Sequence, residues 1–398
     1  MNILIATENE CNPKLGGIER VSVTLANQLK KHGYGVYFIT LAKNPHTDSE
    51  PYTLVAEQII LPNKGDVCCD DNIQCFSNFV KDKKIDVILN QGGEAPDFSS
   101  LCIKVKEKTG VKLLSKIHLD PAQAIKSYQA DQSLLEVRSV FLRQIKHFLK
   151  QKFPFKLKRM MKEYSAFYNQ LYRGSDSVIL LSEHFKPAFK VMTGLVNLSK
   201  LEAIPNPLSF QTPKETYQKE KLIVWVGRFD KWQKRPERLV QIWSYLEDKH
   251  PDWNVSFLGD GATKPQVEEL VRELGLKNIR FEGFADPVSA YQKSSIICMT
   301  STYEGFGLIL TEAMQFGAVP MAFSSYESVY DIINDGATGY IIQPYDLKMY
   351  AHRLESLMVD EDRRKIMSLN AMKYVTDKFD IDKITKQWIA LFDKYVVK

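Results

Sequence analysis

Along the second half of the chain, short runs dense in apolar and β-branched residues alternate with amphipathic ones. L-I-V-W-V-G-R (222–228) precedes the helical P-E-R-L-V-Q-I-W-S-Y-L (236–246), and N-V-S-F-L-G (254–259) precedes Q-V-E-E-L-V-R-E-L (266–274). Further strands are predicted at N-I-R-F-E-G-F (278–284), S-I-I-C-M-T-S (295–301), V-P-M-A-F (319–323) and T-G-Y-I-I (338–342), with a helix at L-I-L-T-E-A-M-Q-F (308–316). Continuous apolar strands separated by helices imply a parallel sheet covered on both faces. The first half begins in the same way. I-L-I-A-T leads through a polar loop to Gly16-Gly17, after which Ile18, Val21, Leu25, Ala26 and Leu29 recur at helical spacing until Gly33. Strands follow at Val36–Leu41, 85–90, 112–118 and 177–182, the last after a long helical region from about 121 to 172. The fold class is therefore α/β, with two Rossmann-like halves.

Length agrees with this reading, since 398 residues exceed one ordinary core and suit two domains. The proline-rich and polar stretch at 204–220 marks the boundary, giving domains 1–207 and 208–375 and a final helical stretch, 376–398. Apolar residues at 44% and charged residues at 25% fit a globular chain, and no apolar run approaches the ~18–20 residues that span a bilayer. The start M-N-I-L-I-A-T has neither the basic flank nor the length of a signal peptide, so it reads as a first strand. Six cysteines without C-x-x-C spacing read as reduced thiols, and the expected location is cytoplasmic.

The net charge of +5 is concentrated in one place. R-Q-I-K-H-F-L-K-Q-K-F-P-F-K-L-K-R-M-M-K (143–162) holds eight Lys or Arg and no acid; without those eight, the 53 basic residues no longer outnumber the 48 acidic ones. Phe148, Leu149, Phe153, Phe155, Leu157 and Met160 interleave with the lysines, and Pro154 divides the stretch into two helices. Such a segment fits either the anionic inner face of a membrane or a solvated helical face whose apolar side packs on the first domain. No nucleic-acid-binding module accompanies it, so no nucleic-acid partner is expected.

Three loops at strand ends carry candidate chemistry. In open α/β sheets, ligands sit beyond the carboxyl ends of the strands, near free helix N–H groups. The first loop is Tyr303-Glu304-Gly305-Phe306-Gly307, where two glycines let backbone approach a phosphate before the helix from Leu308. Glu304 and Glu312 lie on either side of that point. A carboxylate accepts two hydrogen bonds from a vicinal diol, which suits a nucleotide sugar, with Glu304 on the sugar and Glu312 on the ribose. Alternatively, Glu312 is an ordinary solvated helix residue. The second loop, Gly227 to Lys234, offers Arg228 and Lys234 as two fixed cations for a diphosphate, or as members of a surface ion-pair loop. The third is Gly16-Gly17 at the first helix.

Taken in this order, G-G-I-E-R-V, V-G-R-F-D-K-W-Q-K, F-L-G-D-G and E-G-F-G-L-I-L-T-E resemble the family 4 retaining glycosyltransferases of the GT-B fold, also called glycosyltransferases group 1. The resemblance implies two Rossmann-like domains facing each other across a cleft, with 376–398 returning to the first domain. It implies that Arg228 and Lys234 contact the donor diphosphate and that Glu304 holds the transferred sugar. The N–H groups of Phe306, Gly307 and Leu308 would face phosphate, Gly305 would belong to the same donor-binding loop, and Glu312 would hold the ribose. Gly16 and Gly17 would face the donor phosphates from the first domain. His118, in K-I-H-L-D-P, is similar in place to the family's histidine near the reacting sugar, although a lone histidine is also often structural. Leu119 departs from the family pattern, so Asp120 inherits no role.

The implied reaction moves a hexose or N-acetylhexosamine with retention from a nucleoside-diphosphate sugar, UDP-sugar favoured and GDP-sugar the alternative. The acceptor would be a glycan, lipid-linked, in cell-surface polysaccharide (lipopolysaccharide or capsule) assembly. None of the three loops carries an Asp-x-Asp motif, so neither a metal nor a cofactor is expected. A nucleotide-sugar epimerase or hydrolase on the same fold, or a binding protein without turnover, are the competing readings. An NAD-dependent oxidoreductase fails because Gly259-Asp260-Gly261 is followed by Lys264 where the dinucleotide fingerprint needs a third glycine.

Overall fold

The computed structural model describes residues 1–14, 16–43, 54, 56–123, 125–126, 155–211, 213 and 217–396. The described residues fall into two compact units, one formed by Met1–Ala122, Arg159–Ser209 and Phe379–Lys398, the other by Gln123–Lys158 and Phe210–Lys378.

The first unit is built on the parallel strands β1 (Asn2–Asn9), β2 (Gly35–Ala42), β3 (Glu57–Ile60), β4 (Val87–Asn90), β5 (Lys112–Lys116), β6 (Ser177–Leu180) and β7 (Leu201–Ala203). Their order across the sheet is β3-β2-β1-β4-β5-β6-β7. Successive side chains of a strand point to opposite faces, and β1 shows the consequence. Ile3 and Ile5 join Leu25, Ala26 and Leu29 of the helix Gly17–Lys31 on one face. Leu4 and Ala6 join Phe76, Phe79, Leu101 and Val105 of the helices Asp70–Asp82 and Pro96–Thr109 on the other. The first face is closed by the last helix, Ile381–Val396, through Ile384, Trp388, Leu391 and Phe392.

The second unit repeats the plan with β8 (Glu220–Val226), β9 (Asn254–Leu258), β10 (Ile279–Gly283), β11 (Ser294–Met299), β12 (Val319–Phe323) and β13 (Tyr340–Ile342), in the order β10-β9-β8-β11-β12-β13. In both sheets the strand order reverses beside the first strand, between β1 and β4 and between β8 and β11. Those reversals are the topological switch points at which such sheets bind ligands.

The unit limits differ from the sequence-derived boundaries in detail. The chain passes from the first unit to the second after Ser209 and returns at Phe379, where Leu208 N donates to Phe379 O at 2.9 Å. The basic stretch 143–162 was expected wholly within the first domain. Residues 143–154 lie outside the described residues, and the helix Phe155–Gly174 starts directly after Pro154, with the unit limit falling at Lys158 and Arg159. Upstream, Lys126 Nζ pairs with Glu327 at 3.3 Å within the second unit. All six cysteines carry free thiols. Among the described residues, no helix is long and apolar enough to cross a membrane.

Candidate functional site

In the second unit, the loops after β8 and β11 leave the sheet at its switch point and interlock there. Asp230 organises the first loop, with Oδ1 accepting from Trp232 N at 2.8 Å and Gln233 N at 2.7 Å while its carbonyl accepts from Arg235 N at 2.9 Å. Arg235 adopts φ +52°, a left-handed conformation uncommon for a side chain of its size. The loop is then stitched to the end of β11. Thr302 N donates to Gln233 O at 2.7 Å, and Thr300 Oγ1 lies 2.9 Å from Arg235 O.

This scaffold delivers Lys234 to Glu304, with Nζ 2.7 Å from Oε1. Their side chains are 19% and 7% exposed, so the pair is no surface ion pair. Gln233 spans the neighbouring groups, its Oε1 3.5 Å from Arg228 Nη2 and its Nε2 3.5 Å from Glu304 Oε2. Arg228 itself is exposed. Lys234 has three N–H donors, so one can stay on Glu304 while two turn to an oxyanion.

The second loop ends at Gly307, whose φ of +95° caps the helix Leu308–Gln315. A Cβ at Gly307 would also make a tight contact, 3.2 Å, with the Tyr326 hydroxyl, but it is the positive φ that calls for glycine. Ser328 Oγ lies 3.0 Å from Gly305 O and 3.2 Å from Phe306 O, fixing the carbonyls of the turn beside the helix start. The unsatisfied N–H groups of a first helical turn favour an anion there. Glu312, in the second turn, is 2% exposed, and the buried Tyr291 hydroxyl donates to its Oε2 at 3.1 Å. The solvated reading of Glu312 is therefore set aside by its burial. Lys219 braces the same corner, its Nζ donating to the carbonyls of Tyr291 (2.9 Å), Gln292 (3.0 Å) and Phe316 (2.6 Å). Desolvation by burial lowers this lysine to about 7.

The first unit holds Gly16, Gly17 and His118 at the corresponding end of its own sheet. Gly16 is the extended N-cap of the helix Gly17–Lys31. The Glu19 carboxylate folds back against it, so that a Cβ on Gly16 would meet Glu19 Oε1 at 3.4 Å and Oε2 closer still. The position beside the glycine pair is therefore occupied by a carboxylate, which burial pushes above its ordinary range. His118, just past β5, is buried. Its Nε2 lies 2.7 Å from Gln91 Oε1, and its backbone N donates to Glu94 Oε2 at 3.2 Å. Burial, and after it the nearby Lys116, hold the imidazole well below its usual range. Lys116 is wholly buried and pushed down to about 7 by desolvation, with Nζ bonded to Asn206 Oδ1 at 2.9 Å. Desolvation raises Glu94 to about 7.

Each predicted residue thus lies at a carboxyl end of its own sheet. Arg228, Lys234, Glu304, Gly305 to Leu308 and Glu312 gather in the second unit, and Gly16, Gly17 and His118 belong to the first. Sequence reasoning missed Gln91, Glu94, Gln233, Tyr291 and Lys219. N-Q-G-G-E directly after a strand was a usable signal for the first two. Tyr291 and Lys219 gave none, because they meet Glu312 and its helix only through the fold.

Residues 15–211 match the family model described as Glycosyltransferase Family 4, and residues 209–374 the one described as Glycosyl transferases group 1. An uncharacterised glycosyltransferase of Haemophilus influenzae is 25% identical over 382 residues, 94% of this chain and 95% of that protein. The GalNAc-alpha-(1->4)-GalNAc-alpha-(1->3)-diNAcBac-PP-undecaprenol alpha-1,4-N-acetyl-D-galactosaminyltransferase of Campylobacter jejuni is 30% identical over 200 residues, 49% of this chain and 55% of that one. The crystal structure of Anabaena Alr3699/HepE in complex with UDP and glucose superposes with a TM-score of 0.75 at 15% identity, covering 98% of this chain and 99% of that chain. The chain belongs to the family 4, group 1 glycosyltransferases and is an enzyme of that class with the GT-B fold.

Proposed function

We propose that this glycosyltransferase moves a hexose or N-acetylhexosamine from a UDP-sugar to a lipid-linked glycan, with retention and without a metal ion, in cell-surface polysaccharide assembly. The observation that carries the reading is the largely enclosed Lys234–Glu304 pair beside the Gly307 helix start, with Glu312 held by Tyr291 a turn farther on. That arrangement offers cations and helix N–H groups to a diphosphate, flanked by one carboxylate for the sugar hydroxyls and another for the ribose. In the reaction, the bond from the anomeric carbon to the leaving phosphate oxygen breaks as the acceptor oxygen bonds to the same face. The acceptor proton passes to the departing phosphate. Arg228 and Lys234 balance the charge that grows on the diphosphate, a role that needs no proton transfer. His118 stands at the carboxyl end of the first unit's own sheet, a polar group suited to a sugar hydroxyl.

UDP is favoured because HepE was crystallised with it, and a lipid-linked acceptor because the Campylobacter relative is named for one. The helix Phe155–Gly174 supports a membrane-proximal acceptor, since Lys158, Arg159 and Lys162 are exposed together with Met161 and Tyr164. Each basic side chain near an anionic surface contributes about 1 kcal/mol.

The test is to incubate the protein with UDP-sugars and lipid-diphosphate oligosaccharides, with and without chelator, and to read UDP release and the product anomer by NMR. Acceptor-dependent release in chelator with an α-linked product is expected from an α-linked donor. A β-linked product overturns retention, release that ignores the acceptor points to a hydrolase, and loss of activity in chelator overturns metal independence.

A further inference from the structure

The switch point of the first sheet lies between β1 and β4, and β4 ends at Asn90 and runs on into the loop Gln91-Gly92-Gly93-Glu94. This loop is pinned on both sides. Gly92 N donates to Asn90 Oδ1 at 2.9 Å, and Gly93 N donates to the carbonyl of Lys116 at 3.1 Å. A Cβ on Gly93 would stand within 2.7 Å of the Lys116 carbonyl carbon, so no other residue allows so close a crossing of β5.

The pinned loop sets Gln91, only 1% exposed, against His118, with Oε1 2.7 Å from Nε2. Two consequences follow from elementary chemistry. An amide oxygen only accepts, so Nε2 of a neutral ring facing it must carry the proton, which leaves the Nδ1 lone pair to accept. The Gln91 Nε2 group, meanwhile, is buried with no hydrogen-bond partner among the described residues. Buried amide nitrogens are nearly always paired, and an orphan at a strand-end switch point marks a place where a ligand oxygen fits.

We propose that Gln91 is a positioning residue for the transfer reaction, fixing His118 as the Nε2-protonated neutral tautomer so that Nδ1 accepts from a hydroxyl of a reacting sugar. This rests on the transferase reading for its substrate and on the loop geometry for its tautomer, and the two are separable. Desolvation of the ring and the proximity of Lys116 keep it uncharged, and Glu94 holds the backbone N–H of His118 from the other side.

The test is long-range proton–nitrogen NMR of the full-length protein labelled at histidine, with the His118 signals assigned by their loss in His118→Asn. The expected wild-type spectrum has the proton on Nε2. Gln91→Leu removes the acceptor and is expected to shift the ring toward the Nδ1-protonated form and to lower kcat by about 10–100-fold, up to the scale of a positioned acid–base group. Gln91→Glu keeps an acceptor at Nε2 and is expected to hold the proton on that nitrogen, while its carboxylate draws the ring toward the charged form and restores the rate only in part. The substrate whose KM rises in Gln91→Leu names the hydroxyl's source, donor sugar or acceptor sugar. A wild-type ring protonated on Nδ1, or on both nitrogens, overturns the assignment even in an active enzyme, as does a Gln91→Leu protein with unchanged tautomer and rate. An Nε2-protonated ring in a protein that transfers no sugar would overturn the reaction reading and leave the Gln91–His118 pairing standing.

Discussion

Lys234→Met is expected to lower kcat by about 10²–10³-fold, the scale observed when one preorganised stabiliser of a developing anion is removed. The same change strands Glu304, whose side chain is 7% exposed and whose Oε1 lies 2.7 Å from the missing ammonium. Breaking a buried pair from one side costs about 3–5 kcal/mol when fully enclosed, and about 2–4 kcal/mol is expected here because Lys234 retains some solvent contact. Glu304→Gln alone should destabilise less, since a neutral amide needs no counter-charge. Lys234→Met combined with Glu304→Gln should then recover most of the stability but none of the rate. That divergence, read by thermal unfolding and by UDP release across the double-mutant cycle, separates structural from catalytic contributions. Equal loss of rate and stability in all three variants, with no recovery in the double, would leave the pair a purely structural feature.

Trp388→Ala should cost the first unit about 3–5 kcal/mol, as truncation of a buried aromatic does. Trp388 is central to the closing helix Ile381–Val396, packs in the same cluster as Ile3, Ile5 and Leu29, stacks on Phe392 and lies 5.2 Å from Lys116 Nζ. For a unit of this size each kcal/mol moves the midpoint by about 2–4 °C, so a fall of roughly 10 °C is expected in calorimetry. Trp388→Phe should lose about half as much. A shift within about 2 °C for Trp388→Ala would show that the last helix does not seal the core of the first unit. Because two-domain chains seldom unfold in one step, this variant also identifies which calorimetric transition belongs to the first unit.

The second unit was legible in sequence nearly strand by strand, because the buried stretches of β8, β12 and, after its two opening serines, β11 are apolar runs and β9 breaks its own only at Ser256. The edge strands of the first unit were not. β3 is four residues with a mixed burial pattern and β7 is three, too short for either an alternating or a continuous signal. The helices Leu347–Val359 and Glu361–Phe379 were also not singled out. The glutamates of 304–312 were found, but their surroundings were not. L-I-L-T-E-A-M-Q is apolar around most of its circumference and is buried from Leu310 to Gln315, and an all-round apolar helix of this kind buries whatever glutamate it carries. What holds Glu312 comes from Tyr291, on another helix and another strand interval, and local pattern carries no information about such a partner. The same holds for Gln91 and His118, 27 residues apart and brought together by the pairing of β4 with β5.

The most direct measurement is thermal unfolding of the full-length protein against UDP, GDP, ADP and TDP in chelator, for the wild type and Glu312→Ala. A ligand of the native state at a hundred times its dissociation constant adds about 2.7 kcal/mol. A selective rise in the transition of the second unit with UDP, lost in Glu312→Ala, is the expected result. No response to any diphosphate, or an equal response from Glu312→Ala, would contradict the placement of the nucleotide-sugar site at the β8–β11 switch point.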